Sequence, residues 1–245
     1  VHQQAAYIWN LLPLHRVKKG IAATIFLVLS GCCAKAQNLP QYDNKRKFHF
    51  GFTINGSYNS FQVNPSPDFL MIDTLKNIRV QPFYGFGLGA IVDMRLGDQF
   101  NLRFLGPNIS FAQRNLFYDF DNPALNKKVE IESAYVDFPL ELKYKSERHW
   151  NTRFYVIAGV KYTYDLSSNK DAPRSLVDPV VALKPNSFSY EFGVGMDLYF
   201  PFFKLSPELK FSQSFHNVLV RDDYVYTQAL NSLFSRIVTF SFHFE

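Results

Sequence analysis

The segment from Ala134 to Leu166 restricts what this chain can fold into more than any other. Val136, Phe138, Leu140, Leu142 and Tyr144 alternate with Tyr135, Asp137, Pro139, Glu141, Lys143 and Lys145. A polar break, Ser146 to Thr152, follows. Alternation then resumes, with Phe154, Val156, Ala158, Val160, Tyr162, Tyr164 and Leu166 set against Tyr155, Ile157, Gly159, Lys161, Thr163 and Asp165. A period of two is that of an extended strand with one side-chain set on each face. Each run is long enough to cross a bilayer as a tilted strand, which takes about 9–11 residues. Strands of soluble proteins are shorter, about 5–6 residues. The pair therefore predicts two neighbouring strands of a membrane barrel.

Magnitude decides which face meets lipid. Lys161 facing lipid near the middle of its strand would cost about 2–4 kcal/mol, and Glu141 and Asp137 would add to that. Turning the even-numbered residues outward removes these penalties and places the charges in the interior.

Composition agrees with this reading. Aromatic residues make up 17% of the 245 residues, with 26 Phe and 14 Tyr, enough to furnish an outward apolar band. No apolar run reaches the ~18–20 residues of a spanning helix. The net charge of +5 is concentrated at the start of the chain. Residues 1–36 hold four of the 26 basic residues (Arg16, Lys18, Lys19 and Lys35) and no acid, leaving 22 bases against 21 acids. A chain so nearly neutral lacks the electrostatic footprint of a nucleic-acid binder.

The same region reads as a secretory signal. Arg16-Val17-Lys18-Lys19 precedes the apolar run Ile21–Leu29, and Ala34-Lys35-Ala36 precedes Gln37, so cleavage is expected between Ala36 and Gln37. Leu29-Ser30-Gly31-Cys32 also resembles a lipoprotein box, but a barrel needs no lipid anchor. Both cysteines, Cys32 and Cys33, lie in this leader. The processed chain is then expected to carry no disulfide, no Cys/His metal site and no cofactor. Residues 37–47 read as a periplasmic tail and 48–245 as the barrel.

Six further strands complete the count. Strand one begins at Phe48 and fades towards Phe61, before a long loop over 64–79. Strand two spans about 83–96, with Gly85, Gly87 and Gly89 on its inner face. These glycines precede no helix pattern, so they are not a phosphate loop; they make room in a narrow barrel. Strand three starts at Phe100, and its outward phase changes between Phe104 and Ile109. Gly106-Pro107 lies between, which predicts a β-bulge. A long loop is expected over 114–128, and another over 167–186. Strand six covers 188–200 and strand seven 205–215. A fourth long loop, 216–232, with a short helix near 226–230, leads to a last strand ending at Phe244. The expected fold is all-β: an eight-stranded antiparallel up-and-down transmembrane barrel. Its short turns are periplasmic and its long loops external.

A barrel of this size is filled by its own side chains. The inward charges are Asp93, Arg95, Arg103, Asp137, Glu141, Lys143, Lys161, Asp165, Glu191, Asp197, Glu208 and Lys210. They are expected to form a compensated network rather than a pore or a catalytic centre. Ser214 and His216, two apart at an external rim with Asp222 and Asp223 in the following loop, resemble a hydrolytic pair, but two polar residues at a strand end are by far the commoner arrangement. A soluble lipocalin-like barrel would place its large apolar residues inside, against the pattern here.

Ala134–Lys145, Tyr155–Tyr162 and Asn101–Phe111 resemble recurring segments of the PorT/SprT family, small outer-membrane barrels of the type IX secretion system in gliding and periodontal bacteria. The resemblance implies an outer-membrane location and a part in exporting cargo with a C-terminal signal, such as surface proteases and adhesins. The partners it implies are outer-membrane lipid, other outer-membrane and periplasmic secretion components, and the barrel assembly machinery. It brings no catalytic residue. With a filled lumen, an accessory or assembly role is expected rather than that of the conduit; a structural or adhesive barrel is the alternative.

Residues 1–16 stand awkwardly before the signal, and translation is expected to start at position 17. Mass spectrometry of the unprocessed precursor should then find no peptides from 1–16; finding them refutes that start.

Overall fold

The computed structural model describes residues 46–66, 75–122, 126–168, 181–220 and 229–245. The leader with Ala36 and Gln37, most of the tail and residues 226–228 of the expected short helix lie outside these residues.

Among the described residues nine strands form one antiparallel sheet: β1 (Phe48–Pro65), β2 (Leu75–Gln81), β3 (Phe83–Arg95), β4 (Phe100–Phe120), β5 (Lys127–Lys145), β6 (Thr152–Asp165), β7 (Asn186–Tyr199), β8 (Lys204–Ser214) and β9 (Leu230–Phe244). β1 pairs with both β3 and β9, and β4 pairs with both β3 and β5. The order β1-β3-β4-β5-β6-β7-β8-β9 therefore closes on itself as a ring of eight. β2 stands apart from the ring and pairs only with the outer part of β4. The connections Leu96–Gln99, Ser146–Asn151 and Phe200–Phe203 are short and lie at one end, the periplasmic one.

Alternation carries through to burial. Phe50, Phe52, Leu88, Phe154, Val160, Phe192 and Leu209 are exposed, while Asp93, Arg103, Glu141 and Lys143 are fully buried. In water this inversion would leave a continuous apolar belt unsolvated; in a bilayer it is the stable arrangement. The belt is knitted by aromatic pairs facing each other across neighbouring strands. Phe52 stacks on Phe244 at 4.9 Å, Phe86 meets Phe111 at 5.3 Å, Phe100 meets Tyr144 at 5.0 Å, and Tyr162 meets Phe188 at 5.1 Å. Such cross-strand contacts contribute roughly 0.2–1 kcal/mol each. On the outer side the belt ends at outward-facing Gln62, Gln113, Glu132, Gln213 and Arg236.

The phase change in β4 is a bulge. Phe104 faces Leu140 and Asn108 faces Asp137, so three residues oppose two. Pro107 falls within it on β4 and Pro139 opposite it on β5. Neither proline can donate to a ladder, and the bulge places both where no donor is needed. The Gly106–Pro107 peptide is cis. Beyond the bulge Ile109 and Phe111 point outward, as the change of phase requires.

Three expected boundaries need correction. The segment 114–128 is largely strand: β4 continues to Phe120 and β5 begins at Lys127. The loop expected over 64–79 contains the end of β1 and most of β2. β9 begins at Leu230, within the region expected to be loop and helix. These extensions rise beyond the apolar belt, where Arg79 donates to both carboxylate oxygens of Asp119 at 2.6 and 2.9 Å. That bond holds the Asp119 carboxyl below its ordinary range.

Val160, outward and near the middle of β6, tests the orientation. Val160→Arg should lower stability in phospholipid vesicles by about 2–4 kcal/mol, and Gln113→Arg, at the belt edge opposite Glu132, by only about 0–1 kcal/mol. Equal losses in urea titrations would contradict the assigned faces.

Candidate functional site

Alternation sends every second residue of each strand into the lumen, where charged groups meet in three tiers. Nearest the periplasm, Arg103 on β4 is the hub. Its guanidinium reaches Asp93 at 3.4 Å, Glu208 at 2.9 Å and Glu245 at 3.3 Å. Lys143 binds Asp197 at 2.7 and 2.9 Å, and Ser206 donates to the same carboxylate at 2.6 Å. Lys204 binds Glu245 at 2.7 Å, and His243 lies 3.3 Å from Glu208.

Tyr155 is the centre of this tier. Its hydroxyl donates to Glu208 at 2.9 Å, and the Lys143 ammonium sits 3.8 Å from its ring centre. The ring can lie there only because position 195 is glycine: a Cβ at Gly195 would stand 2.4 Å from the ring carbon that bears the hydroxyl. Gly87 serves the same purpose higher in the barrel. A Cβ there would fall 2.7 Å from Asn55, whose amide donates to Asn108 at 3.0 Å.

In the middle tier Lys210 bridges Glu141 at 2.6 Å and Glu191 at 3.2 Å, and Lys161 reaches Glu191 at 3.3 Å. Above it Asp137 accepts hydrogen bonds from Ser110 at 3.0 Å and Thr163 at 2.6 Å. Asp165 accepts from the Ser167 amide at 2.9 Å. Arg114 closes the polar part: it donates to the Tyr135 hydroxyl and to Ser235 at 3.1 Å, with the Phe61 ring 4.5 Å away.

An apolar plug lies above Arg114. Phe61, Leu116, Tyr118, Val129, Ile131, Val181, Leu183, Val218, Leu219, Leu230 and Leu233 are buried together at the external end. Two interior cavities, one between the tiers and one against the underside of the plug, measure about 30 and 20 Å³. These are on the scale of single water molecules. The larger depressions, of about 550 and 360 Å³, are lined mainly by residues of the outer wall, among them Phe154, Val194, Leu209, Phe86 and Phe111. The described residues thus enclose a lumen filled along its length.

Eleven of the twelve inward charges named from the sequence are buried in the lumen. Arg95 is the exception, partly exposed at the periplasmic rim and paired with Asp98. The charges named from the sequence left out Lys145 and His243, although both stand on the inward phase of their strands, and sequence reading missed Arg114, Arg153, Lys204 and Glu245. Arg153 joins two periplasmic turns by donating to the Ser146 carbonyl at 2.6 Å and the Asp98 carbonyl at 2.5 Å. Alternation extended one residue before the strand start would have found Arg153 and Lys204. The plug was missed because most of it falls in segments read as loop.

Ser214 and His216 do not form a pair. Ser214, the last residue of β8, is buried, and its hydroxyl oxygen accepts from the Ser235 amide at 2.9 Å. His216 lies beyond the strand and is exposed, against Phe215.

Removing one partner from a buried pair leaves an uncompensated charge, at a cost of about 3–5 kcal/mol. Lys143→Met should cost that much, and the Lys143→Met/Asp197→Leu double variant should recover a substantial part of it. Additive losses in urea unfolding would contradict the pairing. Gly195→Val should displace Tyr155 and loosen the same tier, seen as faster amide exchange on β6 and β8.

Among solved structures the chain is similar to several other barrels, three of them as follows. Ail of Yersinia pestis, in complex with the heparin analogue sucrose octasulfate, is 9% identical, with 81% of this chain and 99% of that one covered and a TM-score of 0.37. OprG of Pseudomonas aeruginosa is 14% identical, with 79% and 92% covered and a TM-score of 0.41. Neisserial surface protein A is 9% identical, with 81% and 98% covered and a TM-score of 0.40. No curated protein matches the sequence. The family model described as outer membrane protein beta-barrel domain matches residues 35–220, three quarters of the chain. With a closed ring of eight strands, an outward apolar belt and a buried polar interior, the chain belongs to that family and is a protein of the outer membrane.

Proposed function

We propose that this barrel is an accessory or assembly subunit of the type IX secretion machinery, not its conduit. The observation that carries the second half is the filled lumen: paired charges in three tiers, interior cavities of about 20 and 30 Å³, and an apolar plug. A folded cargo domain is tens of ångströms across. Nothing of that size passes through a ring of eight strands packed with side chains. The secretion role itself rests on the motif resemblance of Asn101–Phe111, Ala134–Lys145 and Tyr155–Tyr162. On this reading the barrel works through its surfaces, binding larger secretion components by its external extensions or its lipid-facing wall.

A second reading is a structural or adhesive surface barrel. The observation favouring it is the reach of β4 and β5 beyond the apolar belt, which presents a firm hairpin to the outside. The wild-type gene and a clean in-frame deletion separate the two. Under the secretion reading, cargo bearing the C-terminal signal accumulates in the periplasm of the deletion strain, and the wild-type gene restores export. Normal export with an intact envelope refutes the secretion role and leaves the surface barrel.

A further inference from the structure

The outer edge of the apolar belt is uneven in charge. On β5 it carries Glu132 and, further out, Glu130, both exposed. The three neighbouring strands β8, β9 and β1 contain one carboxylate between them, Glu208, and that one faces the lumen. Their outward edge is built instead from Gln213, Arg236 and Gln62. Register brings these together: Arg236 lies opposite Gln213 on one flank and opposite Ser60, two residues before Gln62, on the other. Arg236 Nη2 donates to Gln62 Oε1 at 2.6 Å, and Gln213 Nε2 donates to the same oxygen at 3.3 Å. The guanidinium leans back over the belt, with its carbon 6.0 Å from the centre of the Phe211 ring. Below it lie Phe211 and the exposed side chains of Val238 and Tyr58 on the lipid-facing wall.

Other arginines of the wall and lumen meet carboxylates. Arg103 has three, Arg79 has both oxygens of Asp119, and Arg95 has Asp98. Among the described residues Arg236 has none, and its one hydrogen bond, to Gln62, engages one of the five N–H groups of a guanidinium. Gln62, whose oxygen accepts twice, keeps its amide nitrogen as a further donor. This cluster of donors stands where acyl chains give way to headgroups. Phosphate is the anionic group a membrane lipid places at that level, and the planar fork of arginine fits two of its oxygens at once. The chains of such a lipid continue downward, where the wall under Arg236 is apolar. Charge above and hydrocarbon below thus match one amphipathic molecule.

We infer that Arg236, with Gln62 and Gln213, binds the phosphate of one outer-leaflet lipid headgroup, whose acyl chains lie along the wall over Phe211 and Val238. The site is separate from the lumen. It holds whether the barrel serves secretion or adhesion, because it needs only the outer-membrane location and the arrangement of these three strands.

The full-length protein in phosphatidylcholine nanodiscs provides the test, with phosphatidic acid, whose phosphate is unscreened by a headgroup cation, added at rising mole fraction. The reporters are the NMR signals of the Arg236 Nε–H and the Gln62 side-chain amide. Both should shift and reach a plateau. Arg236→Gln, read at Gln62, should need about tenfold more phosphatidic acid for the same fraction of its shift, the loss expected for a hydrogen bond to a charged group. Arg236→Lys keeps the charge without the fork and should fall between the two. The position is exposed, and an unchanged backbone amide spectrum confirms that both variants fold. A shift that rises without a plateau overturns the inference, as does an equal response from Arg236→Gln. Inorganic phosphate producing the same saturation in discs without phosphatidic acid also overturns it, since the ligand is then a soluble anion and not a lipid.

Discussion

A lysine ammonium inside a ring of eight strands has little water to solvate it, and every architectural feature of this barrel follows from how that charge is met. Desolvating one such ion costs several kcal/mol, and only close opposite charge with further hydrogen bonds repays it. Lys210 between Glu141 and Glu191, Lys143 on Asp197, and Arg103 among Asp93, Glu208 and Glu245 satisfy that demand. With Glu245, the buried interior carries eight acids and eight bases among the described residues. A balanced interior needs no counterions and no water column. The packing that balances it also seals it.

The wall is shaped by the same requirement. Side chains of this length fit only where others are absent, and Gly195 beneath the Tyr155 ring and Gly87 beside Asn55 supply the room. The bulge at Gly106-Pro107 resets the phase of β4, so that Asn108 and Ser110 follow Arg103 into the lumen while Ile109 and Phe111 meet lipid. Without that one extra residue, the upper half of β4 would present its polar side chains to hydrocarbon.

The membrane-spanning part was legible in the sequence because the contrast between faces is largest there. Bulky apolar residues outside and charges inside give an unmistakable period of two, and the bulge revealed itself as a change of phase between Phe104 and Ile109. Legibility ended where the bilayer ends. Above the belt the pattern inverts: Leu116, Val129 and Ile131 are buried, while Gln113, Glu130 and Glu132 face outward. Read with the rule that apolar means outward, such a stretch looks like a polar loop, and so β2 and the outer parts of β4 and β5 were missed. The individual partners in the lumen were hidden for another reason. Lys143 and Asp197 are joined only through the register of three strands, β5, β6 and β7, which the sequence does not state.

Single-channel recording across a planar lipid bilayer tests the central claim most directly. A barrel sealed by paired charges and an apolar plug should insert without producing stable current steps at moderate voltage. Reproducible, voltage-stable conductance steps from the purified wild-type protein would mean an open lumen, contradicting both the sealed interior and the accessory role built on it.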